Sequence, residues 1–84
     1  MFEENKQLIC DKMLALFQAT RHFYDLVSLT YVYNWDEEHQ CHINEDFPAT
    51  EYVVATFDNG YQKYVNVSID SGYAMIKDVL KGIA

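Results

Sequence analysis

Glycine and proline are scarce in this sequence, which contains three glycines and one proline among its 84 residues. No Gly-rich phosphate-binding loop is present, and neither GxSxG nor HExxH occurs. Two cysteines, Cys10 and Cys41, are too few for a disulfide framework, so we interpret both as reduced thiols. The common sequence signatures of phosphate-binding and hydrolytic enzymes are therefore missing.

Long apolar runs are missing as well. The richest apolar segment, residues 26–35, is interrupted by Ser28, Thr30 and Asn34. It therefore falls short of the roughly 18 consecutive apolar residues that predict a membrane span. The first residues are acidic and no apolar stretch follows them, so no secretory signal is predicted. We expect a cytoplasmic protein that does not contact membranes.

Positive charge is the third shortage, because 13 acidic residues face only six basic ones and the net charge is −7. Such a chain repels phosphate backbones and anionic lipids, so we expect no direct nucleic-acid binding. Its length predicts one small domain over residues 1–84, which buries about 60–65% of the surface of the unfolded chain. A domain of this size spares few residues for a deep cleft. We therefore predict a non-enzymatic protein with no cofactor.

Two segments carry apolar residues at the three- and four-residue spacing of an amphipathic helix. The first runs from residue 3 to about residue 24. Its end charges agree with the helix dipole; they are Glu3, Glu4, Arg21 and His22. The second helix follows the capping segment Asp70-Ser71-Gly72 and is predicted to end at Gly82. The core positions expected on the first helix are Leu8, Ile9, Met13, Leu16, Phe17, Phe23 and Tyr24.

Three segments between the helices alternate with the period of two that is typical of strands. They are residues 27–35, 52–57 and 61–69. The apolar face expected for the first of them comprises Val27, Leu29, Tyr31, Tyr33 and Trp35. The order α-β-β-β-α predicts an α+β fold, in which a three-stranded antiparallel sheet carries both helices on one face. The other face of the sheet would stay exposed to water.

Asp58-Asn59-Gly60 predicts a tight hairpin between the second and third strands, because Asn and Gly tolerate positive φ angles. A three-residue turn with Gly60 in a G1 bulge separates apolar from polar side chains better than a two-residue turn does. The apolar face in that register comprises Val53, Ala55, Phe57, Val65, Val67 and Ile69.

Residues 36–51, predicted to form a single long loop, carry six acids and no lysine or arginine. Such a segment is either a solubilising loop or a contact surface for a basic protein partner. Aromatic side chains nearby would supply contact energy, and carboxylates would steer the encounter. The residues predicted to bind the partner are Asp36, Glu37, Glu38, Glu45, Asp46, Trp35, Tyr33 and Tyr64.

Three other functions stay open at the level of sequence. Carboxylates placed like phosphates would make a nucleic-acid-mimicking inhibitor, and in size, charge and helix-strand order the chain resembles some anti-CRISPR proteins. His39, Cys41 and His42 would suit weak transition-metal binding, although a tetrahedral site needs a further ligand from elsewhere. In the structural alternative, Cys41 is a small apolar filler. Exposed tyrosines on the open sheet face, or an edge strand, would also serve a homodimer.

Overall fold

A three-stranded antiparallel sheet with two helices forms the body of the molecule, which confirms the predicted α+β fold. The computed structural model describes residues 5–21 and 23–84. The elements in chain order are α1 (Lys6–Thr20), β1 (Leu26–Tyr33), β2 (Trp35–Asp36), β3 (Cys41–His42), β4 (Glu51–Phe57), β5 (Gln62–Asn66) and α2 (Gly72–Ile83). The strand order is β1-β4-β5, and β2 pairs with β3 in a separate small sheet inside the predicted loop.

Helix α1 is shorter than the sequence pattern predicts. The side chain of Asn5 caps its start by accepting the backbone N–H of Leu8 at 3.0 Å. The helix ends where Arg21 adopts a left-handed φ of 61°, so Tyr24 lies outside it and is exposed. The expectations that lie outside the described residues concern Glu3, Glu4 and His22.

Only one face of α1 enters the core. Cys10, Met13 and Phe17 are buried. Leu8 and Leu16 were predicted in the core, and both are exposed. Burial, together with the negative charge of Asp11, raises the pKa of the Cys10 thiol to about 11. Cys10 is therefore a packing residue in this fold.

The predicted apolar face of β1 is wrong at the start of the strand, because a bulge lies there. Leu26 lies opposite Phe57, but Ser28 lies opposite Thr56, so the register shifts by one residue between them. Leu26 consequently points into the core, whereas Val27 is 52% exposed.

The hairpin between β4 and β5 has the predicted register. Val53 lies opposite Val65, and the backbone N–H of Phe57 donates to the carbonyl of Tyr61 at 2.8 Å. Gly60 has a φ of 87°, as the three-residue turn requires. The expectation for Ile69 was wrong, because β5 ends at Asn66 and Ile69 is 97% exposed.

Helix α2 is capped by Ser71, whose hydroxyl accepts the backbone N–H of Ala74 at 3.2 Å. Gly82 does not end this helix, which continues to Ile83. A Cβ atom at Gly82 would lie 2.6 Å from Cγ2 of Val65. The absence of a side chain at Gly82 therefore allows α2 to pack close to β5.

Both helices share one apolar cluster with the sheet, so they cover the same face, as predicted. The central side chains of this cluster, Val53, Val67, Met75 and Val79, are completely buried. The other face was expected to stay exposed to water. That expectation fails at Tyr52, which is only 5% exposed because Phe47 from the preceding loop packs against it.

Glu51 belongs to the scaffold and not to the acidic surface. Its Oε1 lies 2.6 Å from Nζ of Lys6 on α1 and accepts the hydroxyl of Tyr31 at 2.8 Å. Burial raises the pKa of Glu51, but the hydrogen bonds from Lys6 and Tyr31 outweigh this effect and hold it below its ordinary value. The Lys6–Glu51 pair thus links α1 to the central strand.

Candidate protein-binding surface

The acidic residues of the predicted loop lie on a short hairpin and its continuation, residues 35–46, which we name the acidic arm. Trp35 pairs with His42, and Asp36 pairs with Cys41. The rings of Trp35 and His42 meet edge to face, with centroids 5.0 Å apart. Four residues connect the two short strands, and among them Gln40 has a positive φ of 53°. The arm is therefore an ordered hairpin rather than an irregular loop.

Asp36 organises the turn of the acidic arm. Its Oδ1 accepts the backbone N–H groups of Glu38 at 3.0 Å and His39 at 3.2 Å. Its Oδ2 lies 2.7 Å from Nδ1 of His39. The side-chain hydrogen bond from His39, followed by the backbone hydrogen bonds, lowers the pKa of Asp36. Asp36 therefore shapes the turn and supplies negative charge to it.

Glu37 and Glu38 are exposed at the turn. The hydroxyl of Tyr33, on the last residue of β1, donates to Oε2 of Glu37 at 3.0 Å. This hydrogen bond raises the pKa of Tyr33. Glu38 presents its carboxylate to solvent beside Glu37, so the tip of the hairpin carries two adjacent negative charges.

Asn34 attaches the acidic arm to the sheet. This residue is completely buried between β1 and β2. Its Nδ2 lies within hydrogen-bonding distance of the carbonyls of Asn44, Phe47 and Ala49, at 3.2, 3.1 and 2.9 Å. Its Oδ1 accepts the backbone N–H of Asn44 at 2.6 Å. One buried amide therefore fixes the path of residues 44–49.

Glu45 and Asp46 follow immediately on this fixed path. Both are exposed. The backbone N–H of Asp46 donates to Oδ1 of Asn44 at 3.0 Å, which tightens the turn before Phe47. Their carboxylates are therefore presented to solvent from a backbone that Asn34 and Asn44 hold in place.

Three aromatic rings form a patch on the sheet face opposite the helices. The ring centroids of Phe47, Tyr52 and Tyr64 lie 5.3 to 5.4 Å from one another. Asn44 donates from Nδ2 to the Tyr52 hydroxyl at 3.2 Å. Tyr52 is the buried member, whereas Tyr64 is 40% exposed. We name these three residues the aromatic patch.

The structure brings some of the predicted anchor residues together and separates others. Tyr64 meets Phe47, the residue directly after Asp46, so the aromatic patch adjoins the acidic arm. Tyr33 pairs with Glu51 at the helix-covered face, whereas Tyr64 pairs with Val54 on the opposite face. The predicted aromatic anchors therefore do not form one continuous surface.

Two residues important to this geometry were absent from the predicted site. The sequence pattern predicts Asn34 only as a polar residue of the first strand. Phe47 is not among the aromatic residues that the sequence predicts to bind the partner. In the sequence, Asn34 is a short amide residue among the apolar and aromatic residues 31–35. This pattern fits a solvent-facing strand position equally well. Only the tertiary contacts distinguish these two roles.

The five carboxylates of the acidic arm make no ion pair with lysine or arginine among residues 5–21 and 23–84. They are Asp36, Glu37, Glu38, Glu45 and Asp46. The ion pairs within that part of the chain are Lys6–Glu51 and the contact of Asp36 with His39. The arm therefore keeps its negative charge available to an external cation or basic group.

The candidate metal ligands are His39, Cys41 and His42, and the structure gives each a different environment. His39 contacts Asp36, and His42 packs on Trp35. Cys41 is exposed, which corrects its interpretation as an apolar filler. Within the part of the chain that the structure describes, no three His, Cys, Asp or Glu side chains are grouped so that they could hold a metal ion.

Comparison of the chain with protein-family models, curated proteins and solved structures finds no match. The described helices are too short or too polar to cross a membrane.

Proposed function

We propose that this protein is a non-enzymatic binding module that docks on a basic surface of a protein partner in the cytoplasm. The acidic arm would steer and orient the encounter, and the aromatic patch would supply apolar contact. Occupation of the partner's surface, rather than turnover of a substrate, is the proposed mechanism.

The observation that carries this proposal is the contact of Phe47 with Tyr64, whose ring centroids lie 5.4 Å apart. Phe47 directly follows Asp46 in the chain. The negative charge of Asp46 therefore adjoins the aromatic patch, an arrangement that suits an interface with an apolar centre and a polar rim. Asn34 supports the same proposal because its hydrogen bonds fix the path of residues 44–49, and a preorganised segment loses less entropy on binding.

Charge reversal at the hairpin tip tests the proposal. The wild-type protein, used as bait, would capture its partner from a lysate of the native cell, and the affinity of the purified pair would then be measured. We expect Glu37→Lys/Glu38→Lys to weaken binding at least about tenfold, because like charges would then face each other. Wild-type affinity should fall with rising salt.

A matched control carries the same change of charge at the other end of the sheet. Asp25→Lys/Asp58→Lys alters residues beside the Leu26–Phe57 end of the strands, away from the acidic arm. This variant should bind as the wild type does. If the tip variant also kept wild-type affinity and salt dependence, the arm would be only a solubilising segment.

Nucleic-acid mimicry is the narrower form of this proposal, supported by the five carboxylates that lack a lysine or arginine partner within the described residues. A mimic would compete with DNA or RNA for the captured partner. Binding that neither DNA nor RNA displaces would leave the general proposal standing and reject the mimic. Weak metal binding through His39, Cys41 and His42 is a separate prediction. A zinc titration that shows no stoichiometric uptake would reject it.

A further inference from the structure

The side chain of Gln7 on α1 is hydrogen-bonded to the outer edge of β1. Its Nε2 donates to the carbonyl of Leu29 at 3.1 Å, and its Oε1 accepts the backbone N–H of Tyr31 at 2.8 Å. Strand β1 lies at one edge of the sheet, with β4 on its other side. The Gln7 amide therefore satisfies two outward-facing backbone groups that a further strand would use.

The composition of β1 favours pairing with another strand. Its eight residues, LVSLTYVY, include no charged residue and no proline. Natural proteins usually protect an edge strand by making it short or by placing charge or proline on it. The opposite edge strand, β5, has five residues and carries Lys63. Strand β1 has neither form of protection, so its edge needs a different one.

The edge of β1 is complementary to itself. If two copies paired antiparallel about a two-fold axis at Thr30, the Leu29 carbonyl of each would accept the Tyr31 N–H of the other. These are the same two groups that Gln7 now occupies. The absence of charge along the strand removes electrostatic repulsion from this pairing. The occupant that fits this edge is therefore β1 of a second copy of the chain.

We infer that Gln7 is an edge guard, which prevents β1 from pairing with β1 of a second copy by occupying the groups that such a pair would use. This inference is independent of the proposed binding function, because it concerns the sheet edge and not the acidic arm or the aromatic patch. It also explains why a polar side chain of α1 turns toward a strand backbone.

Removal of the Gln7 amide tests whether Gln7 prevents two copies from pairing through β1. In sedimentation velocity over rising protein concentration, Gln7→Ala should associate more strongly than the wild type, toward about twice the monomer mass. Alanine favours helix, so the change itself does not disturb α1. Gln18→Ala, the same substitution at an exposed residue of the same helix, should sediment as the wild type does.

A second substitution identifies the edge that is used. Thr30 is exposed, and in the inferred pair it would face its own copy. Thr30→Lys would place two lysines opposite each other and repel the pair. Gln7→Ala/Thr30→Lys should therefore return to the wild-type mass. Gln7→Met, which keeps the length of the side chain but lacks the N–H donor, serves if Gln7→Ala loses its helical circular dichroism.

Two results would overturn the inference. One is a folded Gln7→Ala or Gln7→Met variant that associates no more than the wild type, although hydrogen exchange shows faster exchange at the Tyr31 amide. The other is wild-type association that Thr30→Lys abolishes, because the edge would then be in use while Gln7 is present.

Discussion

The two faces of the sheet are covered by different means. Both helices cover one face, where Val53, Met75 and Val79 are completely buried. On the other face, Phe47 from residues 44–49 packs against Tyr52, and the neighbouring Tyr64 remains 40% exposed. Apolar burial stabilises the first face, whereas the hydrogen bonds of Asn34 fix the segment that covers the second. Stability and the proposed binding surface thus depend on separate sets of contacts.

Met75→Ala should produce the largest loss of stability, because Met75 is completely buried in the helix-covered face. Truncation of a buried methionine leaves a cavity, and we expect the free energy of unfolding to fall by about 2–5 kcal/mol. Urea denaturation followed by circular dichroism measures this loss. Leu80→Ala on the same helix is the control, since Leu80 is partly exposed and should lose clearly less. Equal losses in both variants would contradict the assignment of the core to this face.

Asn34→Ala should produce a smaller loss that is concentrated on the other face. Several buried backbone groups would lose their partner, and we expect the free energy of unfolding to fall by about 1–3 kcal/mol. The amide of Asn44, which now donates to Asn34, should exchange with solvent faster, whereas the amides between β4 and β5 should keep their protection.

Asn66→Ala is the matched control for Asn34, because Asn66 is exposed and its side chain accepts the backbone N–H of Ser68 at 2.9 Å. We expect a loss of stability below that of Asn34→Ala and no change at the Asn44 amide. If Asn34→Ala left the exchange of Asn44 unchanged, the segment would be held by its aromatic contacts instead.

Acid should weaken the helix-covered face and leave the Asn34 contacts unchanged, because an amide does not titrate in this range. The lowered pKa of Glu51 means that the unfolded chain takes up a proton more readily at this group than the folded chain does. Its stabilising effect is therefore complete above the unfolded pKa of about 4.3 and is lost as the pH falls from there through the lower folded pKa. Glu51→Gln should remove this part of the acid dependence and cost about 1 kcal/mol or less near neutral pH.

Asp70 provides a contrast of opposite sign. Burial, followed by the hydrogen bond and charge of Asp78, raises the pKa of Asp70, against the opposing charge of Lys6. Stability from protonated Asp70 is therefore present at low pH and is lost as the pH rises through its folded pKa. Urea unfolding at several pH values should show that Asp70→Asn removes this decline. Identical pH profiles for the Glu51 and Asp70 variants would refute both assignments.

Local patterns predicted the helices, the hairpin register and the covered face. Val53 and Val65 were placed on one face because the period of two and the turn at Gly60 agree. The same reasoning failed where one residue changed the register. Leu26 replaced Val27 in the core because a bulge interrupts β1, and no turn residue marks that bulge in the sequence.

The candidate surface was predictable only in its charge. The five predicted carboxylates lie on the acidic arm without lysine or arginine partners in the described chain, whereas the role of Glu51, the sixth acid of residues 36–51, became clear only from its contact with Lys6. Lys6 and Glu51 are 45 residues apart in sequence, so local periodicity carries no information about their contact. The same limit applies to the contact between Gln7 and β1.

The sequence by itself determined the order of helices and strands, the position of the tight turn and the concentration of negative charge, because each depends on neighbouring residues. Tertiary structure alone decided that Asn34 would fix the acidic arm, that Phe47 would join it to the aromatic patch, and that Gln7 would occupy the edge of β1. These contacts join distant parts of the chain, and their geometry exists only once the elements have packed together.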